Sequence, residues 1–334
     1  MVLNYQKDAD FRLKLCNFGS NMKSKVSIIL FLLVTIIISW SCKRESGQHF
    51  AIDMEEVRLT KSTTTDSISL QRVLKLDSIE GYDTLKSLTA EAWMLVDDST
   101  GCIISQKSVN EPRQIASLTK IMTCLIALEK DQMTDSVYIT DDVFIAKDSR
   151  VKLGDGYVME NLIYEMMLLS DNDAAYAIAK HIGGDTLAFC NMMNEKAAYL
   201  GMKNTHFANP NGMPNFQNYS TARDMMTLAR YCMADSAFAQ IVVTANKDIP
   251  LIDKRHLPCR NTNALLGNYD GCIGIKTGYT KSAGYCLASA AKRNGTTLFL
   301  ILLNSKKLAS RFTESALLLD YGFNVMKAYR ERQQ

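Results

Sequence analysis

Strand-forming text lies at the two ends of the foldable part of this 334-residue chain, with a long helical stretch between them. Near the front, Ala92-Trp93-Met94-Leu95-Val96 and Cys102-Ile103-Ile104-Ser105 flank Asp97-Asp98-Ser99-Thr100-Gly101, the pattern of two strands around a turn. In the last third, residues 270–280 and 284–291 are followed by Asn294-Gly295 and then by the apolar run 297–303. Asn-Gly between apolar runs predicts a tight hairpin, because both residues tolerate positive φ. Between these blocks, apolar residues recur at helical spacing to about Arg230. The closing segment 313–329 is amphipathic and predicts a helix packed on the strands. The layout is therefore α+β, an antiparallel sheet flanked by helices with an inserted all-α subdomain.

The first long helix carries the first chemical oddity. Ile121, Met122, Leu125 and Leu128 share one face, and no Gly or Pro interrupts them. Ser117 stands at the expected N-cap, and three residues on comes Lys120. A capping box would place Glu or Gln there, since a cation at the positive end of the helix dipole costs roughly a few tenths of a kcal/mol. The i,i+3 spacing sets hydroxyl and amine on one face. A hydroxyl becomes a nucleophile when a base takes its proton. Lysine can be that base where burial and neighbouring cations lower its pKa. Taken alone, the pair is more simply a capping serine and a surface lysine.

Other classes of function find little support. The net charge is +3, and no basic run is interleaved with aromatics, so nucleic acid is not an expected partner. His49, His181, His206 and His256 are scattered, outside any H-E-x-x-H or C-x-x-C context. No metal site is expected, and a Ser-His-Asp arrangement loses its base. If a serine acts here, something other than histidine activates it.

The N-terminal region looks like an address. Met22-Lys23-Ser24-Lys25 leads into an apolar run over 26–40 that closes at Ser41-Cys42. A basic start, an apolar stretch of about 15 residues and small residues before a cysteine describe a secretory signal. A membrane span needs about 20 residues. Ser39-Trp40-Ser41-Cys42 resembles a loose bacterial lipobox, with Cys42 lipidated. Residues 1–42 are thus expected to form a signal or lipoprotein-type anchor region; the alternative is that the apolar run stays as an uncleaved anchor helix, and Met22 is a candidate start of translation. Either way the remainder is expected outside the cytoplasm, membrane-anchored at its N-terminus. Residues 43–89 are polar and are expected to form a spacer with one short helix near 70–76, ahead of a catalytic domain over 90–330. Beyond Cys16 and Cys42, the seven cysteines Cys102, Cys124, Cys190, Cys232, Cys259, Cys272 and Cys286 leave at least one unpaired. Several sit in apolar contexts that suit a buried thiol.

Two further clusters bear on chemistry. Ser170-Asp171-Asn172-Asp173 separates an apolar helix over 161–169 from an Ala-rich one stopped by Gly183-Gly184. Ser170 with Asp173 also fits a capping signature. Gly274 and Gly278 bracket Lys276-Thr277, as expected of a strand edge that another backbone approaches closely. Ser117-x-x-Lys120, Ser170-Asp171-Asn172 and Lys276-Thr277-Gly278 follow one another at domain-scale spacing. Together they resemble the penicillin-recognising serine enzymes. Ala116–Thr123, Ser170–Ala175, Asn209-Pro210-Asn211-Gly212 and Gly274–Thr280 are more specifically similar to the D-alanyl-D-alanine carboxypeptidases, the low-molecular-weight penicillin-binding proteins, over roughly residues 90–328.

That resemblance implies a β-lactamase/transpeptidase-like fold and an acyl-enzyme on Ser117, formed from peptidoglycan stem peptides and blocked by β-lactams, with no cofactor. Lys120 would be the base, and Lys276 a second cation helping to keep it neutral. Ser170 would relay a proton to the leaving amine and Asn172 would bond a substrate amide. The backbone N–H groups of Ser117 and Tyr279 would form the oxyanion hole beside Thr277 and Gly278. Arg311 would read the terminal carboxylate. Asp171 departs from the glycine frequent in the family, and no C-terminal β-domain is expected before Gln334. A D,D-endopeptidase, a serine β-lactamase and a catalytically idle wall-binding lipoprotein are the alternatives. No segment clearly supplies the Glu-containing loop that a β-lactamase uses for deacylation.

Overall fold

The computed structural model describes residues 70, 74–144 and 149–333. The signal, anchor and Cys42 lipidation expectations fall outside the described residues. In chain order come β1 (Ala92–Asp97), β2 (Ile103–Lys107), α1 (Lys120–Lys130), β3 (Ser136–Tyr138), β4 (Gly156–Val158), α2 (Met159–Leu168) and α3 (Asn172–Gly183). They are followed by α4 (Thr186–Tyr199), α5 (Ala222–Met233), α6 (Ser236–Val243), β5 (Asn246–Pro250) and β6 (His256–Arg260). The chain closes with β7 (Cys272–Thr280), β8 (Gly284–Arg293), β9 (Thr296–Ser305) and α7 (Leu308–Glu331).

The two blocks of strand text do join. One antiparallel sheet runs β2-β1-β9-β8-β7, so β9 brings the front hairpin and the C-terminal strands together. The position of β9 follows from its composition. Leu298, Leu300, Ile301, Leu302 and Leu303 are all fully buried, which requires cover on both faces. Leu298, Leu300 and Leu302 share a cluster with Leu318, Leu319, Tyr321, Val325 and Met326 of α7, while α5 packs on β9 as well. Each buried leucine contributes about 1.5–3 kcal/mol relative to exposure. Helix α7 settles close to the sheet at Gly322, where a Cβ would come within 2.8 Å of Leu298 and 2.9 Å of Leu95. The hairpin predicted at Asn294-Gly295 links β8 to β9, with φ of 48° and 73° at the two turn residues.

Two expectations need correction. The helical stretch expected to about Arg230 is not all-α, since the antiparallel pair β3–β4 interrupts it, and a second pair, β5–β6, follows it. The three-residue strands β3 and β4 are too short to show an alternation. The core also reaches upstream of Ala90. Leu70 and Leu74 are buried in the α7 cluster, with Leu76, Ile79, Tyr82 and Leu85 packed against it. Their apolar side chains are diluted by polar neighbours, because 76–78 and 83–87 are short 3₁₀ turns presenting one side each.

Candidate active site

Ser117 lies in a 3₁₀ turn, Ala116–Thr119, that runs directly into α1. It is therefore not the helix cap expected of it, and no side chain caps α1. Two glycines hold this turn from either side. A Cβ on Gly212, at φ +83°, would lie 2.0 Å from the Ala116 carbonyl oxygen. A Cβ on Gly278 would lie 2.9 Å from the Ile115 oxygen and 3.1 Å from the Ser117 nitrogen. Only glycine lets both backbones come this close. Ala116 answers with φ of 49°, a left-handed conformation of the kind found where geometry is fixed for function.

Lys120, the first residue of α1, is fully buried. Its Nζ lies 3.0 Å from Ser117 Oγ, 2.8 Å from Asn172 Oδ1 and 2.7 Å from the Asn211 carbonyl oxygen. The loop that supplies Asn211 is itself pinned. Asn209 Oδ1 accepts from Gly212 N, and the Pro210 carbonyl accepts from Thr123 Oγ1. Burial pushes the Lys120 amine down to about 7, against the opposing pull of Asp171 and Glu165. A neutral amine has two N–H donors and one lone pair. The two carbonyl oxygens occupy the donors, so the lone pair is left for the Ser117 hydroxyl.

The second cluster is built by the start of α3. The cap is Asp171, whose Oδ1 accepts from Asp173 N at 2.9 Å and Ala174 N at 3.1 Å. This corrects the capping pair expected of Ser170 and Asp173. Asp171 also accepts from Ser149 Oγ and Arg150 N, tying the turn to the preceding loop. Ser170 precedes it in left-handed backbone, φ 65°, and Asn172 directs its carbonyl to Lys120 and its amide to Met213 Sδ at 3.7 Å.

Strand β7 forms the opposite edge. Lys276 is 1% exposed, and its Nζ donates to the Thr277 carbonyl at 3.2 Å. Burial lowers its pKa well below the ordinary value, and Lys120 and Arg311 add to the effect. Repulsion between two buried cations is mutual, so each lysine favours the neutral form of the other, while burial is the largest influence on both. Thr277 Oγ1 pairs with Thr262 Oγ1 at 2.7 Å. Tyr279 stands half exposed at the rim. Arg311, in the first turn of α7, reaches back to donate from Nη1 to the Gly278 carbonyl at 3.1 Å. Its Nε is buried without a partner.

Of the site residues expected from the sequence, Ser117, Lys120 and Asn172 are joined by hydrogen bonds, Gly278 presses on the Ser117 turn, and Arg311 bonds to Gly278. Ser170 precedes Asp171 and Asn172, and Lys276, Thr277 and Tyr279 lie on the same strand as Gly278. Sequence reasoning missed three others. Asn211 acts through its main chain, a role that side-chain reading of the Asn-Pro-Asn-Gly run does not reveal. Thr262 sits in irregular backbone beside β7. Glu165 is fully buried with neither oxygen hydrogen-bonded, and burial with nearby Asp171 raises its pKa well above the carboxylate range. Its only signal is a carboxylate inside an otherwise apolar helix.

Comparison with known proteins gives the family. The sequence model of the D-alanyl-D-alanine carboxypeptidase family matches residues 80–307. The D-alanyl-D-alanine carboxypeptidase of Streptomyces sp. (strain K15) is 33% identical over 259 residues, covering 72% of this chain and 89% of that protein. D-alanyl-D-alanine carboxypeptidase DacF of Bacillus subtilis is 31% identical over 247 residues, 72% of this chain and 64% of its own length. The crystal structure of the Streptomyces K15 DD-transpeptidase superposes with a TM-score of 0.68 at 31% identity, covering 71% of this chain and 97% of that one. With that fold and these motifs around one buried lysine, the chain belongs to the D-alanyl-D-alanine carboxypeptidase family.

Proposed function

We propose that the chain is a serine-type D-Ala-D-Ala carboxypeptidase that removes the terminal D-alanine from peptidoglycan stem peptides, and that β-lactams acylate it. The observation that carries this reading is the buried Lys120, whose Nζ lies 3.0 Å from Ser117 Oγ and within hydrogen-bond reach of the Asn172 and Asn211 carbonyl oxygens. Lys120 takes the Ser117 proton as Oγ attacks the carbonyl between the last two D-alanines. The main-chain N–H groups of Ser117 and Tyr279 receive the oxyanion, each donor worth on the order of 3 kcal/mol. Ser170 passes a proton to the leaving amine as the C–N bond breaks, and Asn172 bonds a substrate amide. The peptide lies along β7 beside Lys276, Thr277 and Gly278, with Arg311 at its carboxylate. Water then hydrolyses the ester, restoring Ser117.

The test is product analysis on a free-acid peptide ending in D-Ala-D-Ala. Release of one D-alanine per peptide, blocked by prior acylation with penicillin, is the expected outcome. Transfer to an added amine, or cleavage of cross-linked dimers only, would refute it. The second outcome has a precedent in the D-alanyl-D-alanine endopeptidase of Pseudomonas aeruginosa, 29% identical over 244 residues.

We further propose that residues 22–42 export and tether the enzyme, on the strength of their basic, apolar and Ser41-Cys42 pattern. No described helix is long and apolar enough to cross a membrane. Mass spectrometry of the membrane form is expected to find acyl chains on Cys42 that Cys42→Ser lacks. An intact 22–41 segment on the wild-type protein would favour a plain anchor helix.

A further inference from the structure

Arg311 is held by rings more than by hydrogen bonds. Although it is 6% exposed, among the described residues its side chain bonds to the Gly278 carbonyl and Nε has no partner. Two aromatic faces confine it instead. Its Cζ lies 4.6 Å from the Phe312 ring centroid and 5.6 Å from that of Tyr285. Tyr285, on β8, stands directly opposite Tyr279 in the β7–β8 register. The two rings are stacked with centroids 4.2 Å apart and planes at 24°. One ring thus touches both the cation at the carboxylate end of the site and the residue whose backbone N–H faces the reacting carbonyl. A guanidinium against an aromatic face gains most when desolvated, and a stacked pair fixes ring orientation beyond what burial gives.

We infer that Tyr285 is a specificity-determining positioning residue. It holds the Arg311 fork at a fixed distance from Tyr279, so that a peptide is processed well only when its terminal carboxylate and scissile carbonyl match that spacing. The inference rests on the carboxypeptidase reading above. Tyr285 touches no substrate, and its effect passes through Arg311 and Tyr279. Its aromatic face is the operative part, and its hydroxyl is dispensable.

The experiment compares kcat/KM on a peptide ending in free-acid D-Ala-D-Ala with its C-terminal amide, for the wild type, Tyr285→Phe and Tyr285→Leu. The wild type should prefer the free acid, and Tyr285→Phe should retain that preference. Tyr285→Leu should lose about tenfold on the free acid and no more than about threefold on the amide, with penicillin labelling stoichiometry and thermal midpoint tracking fold integrity. A wild type without preference removes the carboxylate reading and the inference with it. A wild type that prefers the free acid, with a Tyr285→Leu variant that keeps the same ratio, overturns the inference alone. Tyr285→Phe behaving like Tyr285→Leu also overturns it, since the hydroxyl would then be the operative group. If Tyr285→Leu does not fold, Tyr285→Met takes its place beside Tyr285→Phe: loss of preference in Tyr285→Met alone supports the stacked clamp, and an equal preference in the two variants refutes it.

Discussion

Lys120→Ala is expected to lower the second-order rate of acylation by a fluorescent penicillin by about a thousandfold, within the range of a lost general base. Ser117→Ala should form no adduct at all. Both follow from one geometry, in which Nζ sits 3.0 Å from Ser117 Oγ and carbonyl oxygens of Asn172 and Asn211 take its other positions. The pH profile provides an independent check. The base works as the free amine, and burial brings it to about 7, so acylation should rise with pH through a midpoint near 7. A folded Lys120→Ala variant that acylates at the wild-type rate would remove lysine from the mechanism.

The same burial has a consequence for stability, and its sign can be worked out. In the unfolded chain Lys120 titrates near its ordinary 10.5, and in the folded protein near 7. Between those values unfolding takes up a proton, so the folded state loses stability as pH falls from about 10.5 to about 7, and the loss is constant below. Lys120→Met removes this contribution while leaving Asn172 Oδ1 and the Asn211 carbonyl without their donor. That second cost does not depend on pH. The thermal midpoint of the variant relative to wild type should therefore be higher at pH 6 than at pH 10. A difference independent of pH would show that Lys120 is charged in the fold.

The sheet and its helical insertion were legible because burial on both faces leaves a plain signature, as the leucine run of β9 does. The Asn294-Gly295 hairpin was legible because its turn demands positive φ. The motif residues were legible as chemistry out of place, above all a lysine where a helix start favours an acid. What stayed hidden was physical detail that side-chain identity does not encode. Ser117 stands where a cap is expected, yet it lies in a 3₁₀ turn closely approached by Gly212 and Gly278, and neither contact is local in sequence. The cap of α3 is Asp171 because that carboxylate also reaches Ser149 and Arg150, contacts invisible to a local pattern. Burial and a neighbouring cation are both expected of a lysine base, but that the burial of Lys120 is complete is a property of the packed structure.

Arg311→Ala should reduce kcat/KM on free-acid D-Ala-D-Ala peptides by about thirtyfold or more, and much less on the C-terminal amide. A carboxylate is best matched by a forked, permanently charged donor, and truncating a charge-assisted partner in a desolvated site costs about 2–5 kcal/mol. Burial lowers the Arg311 pKa, which marks a cation deprived of water and of a counter-ion. Its Nε has no acceptor among the described residues, and an entering carboxylate would supply one. The alternative, a guanidinium serving only to brace the Gly278 carbonyl, predicts something different. Loss of that brace would loosen β7 for every substrate, and free acid and amide would suffer alike. Arg311→Lys separates the two further. It keeps the charge but loses the planar fork, so a carboxylate reader should show an intermediate loss confined to the free acid. Equal losses on both peptides across the two variants would assign Arg311 to the scaffold. Losses confined to the free acid would make it the group that distinguishes a chain end from the interior of a cross-link.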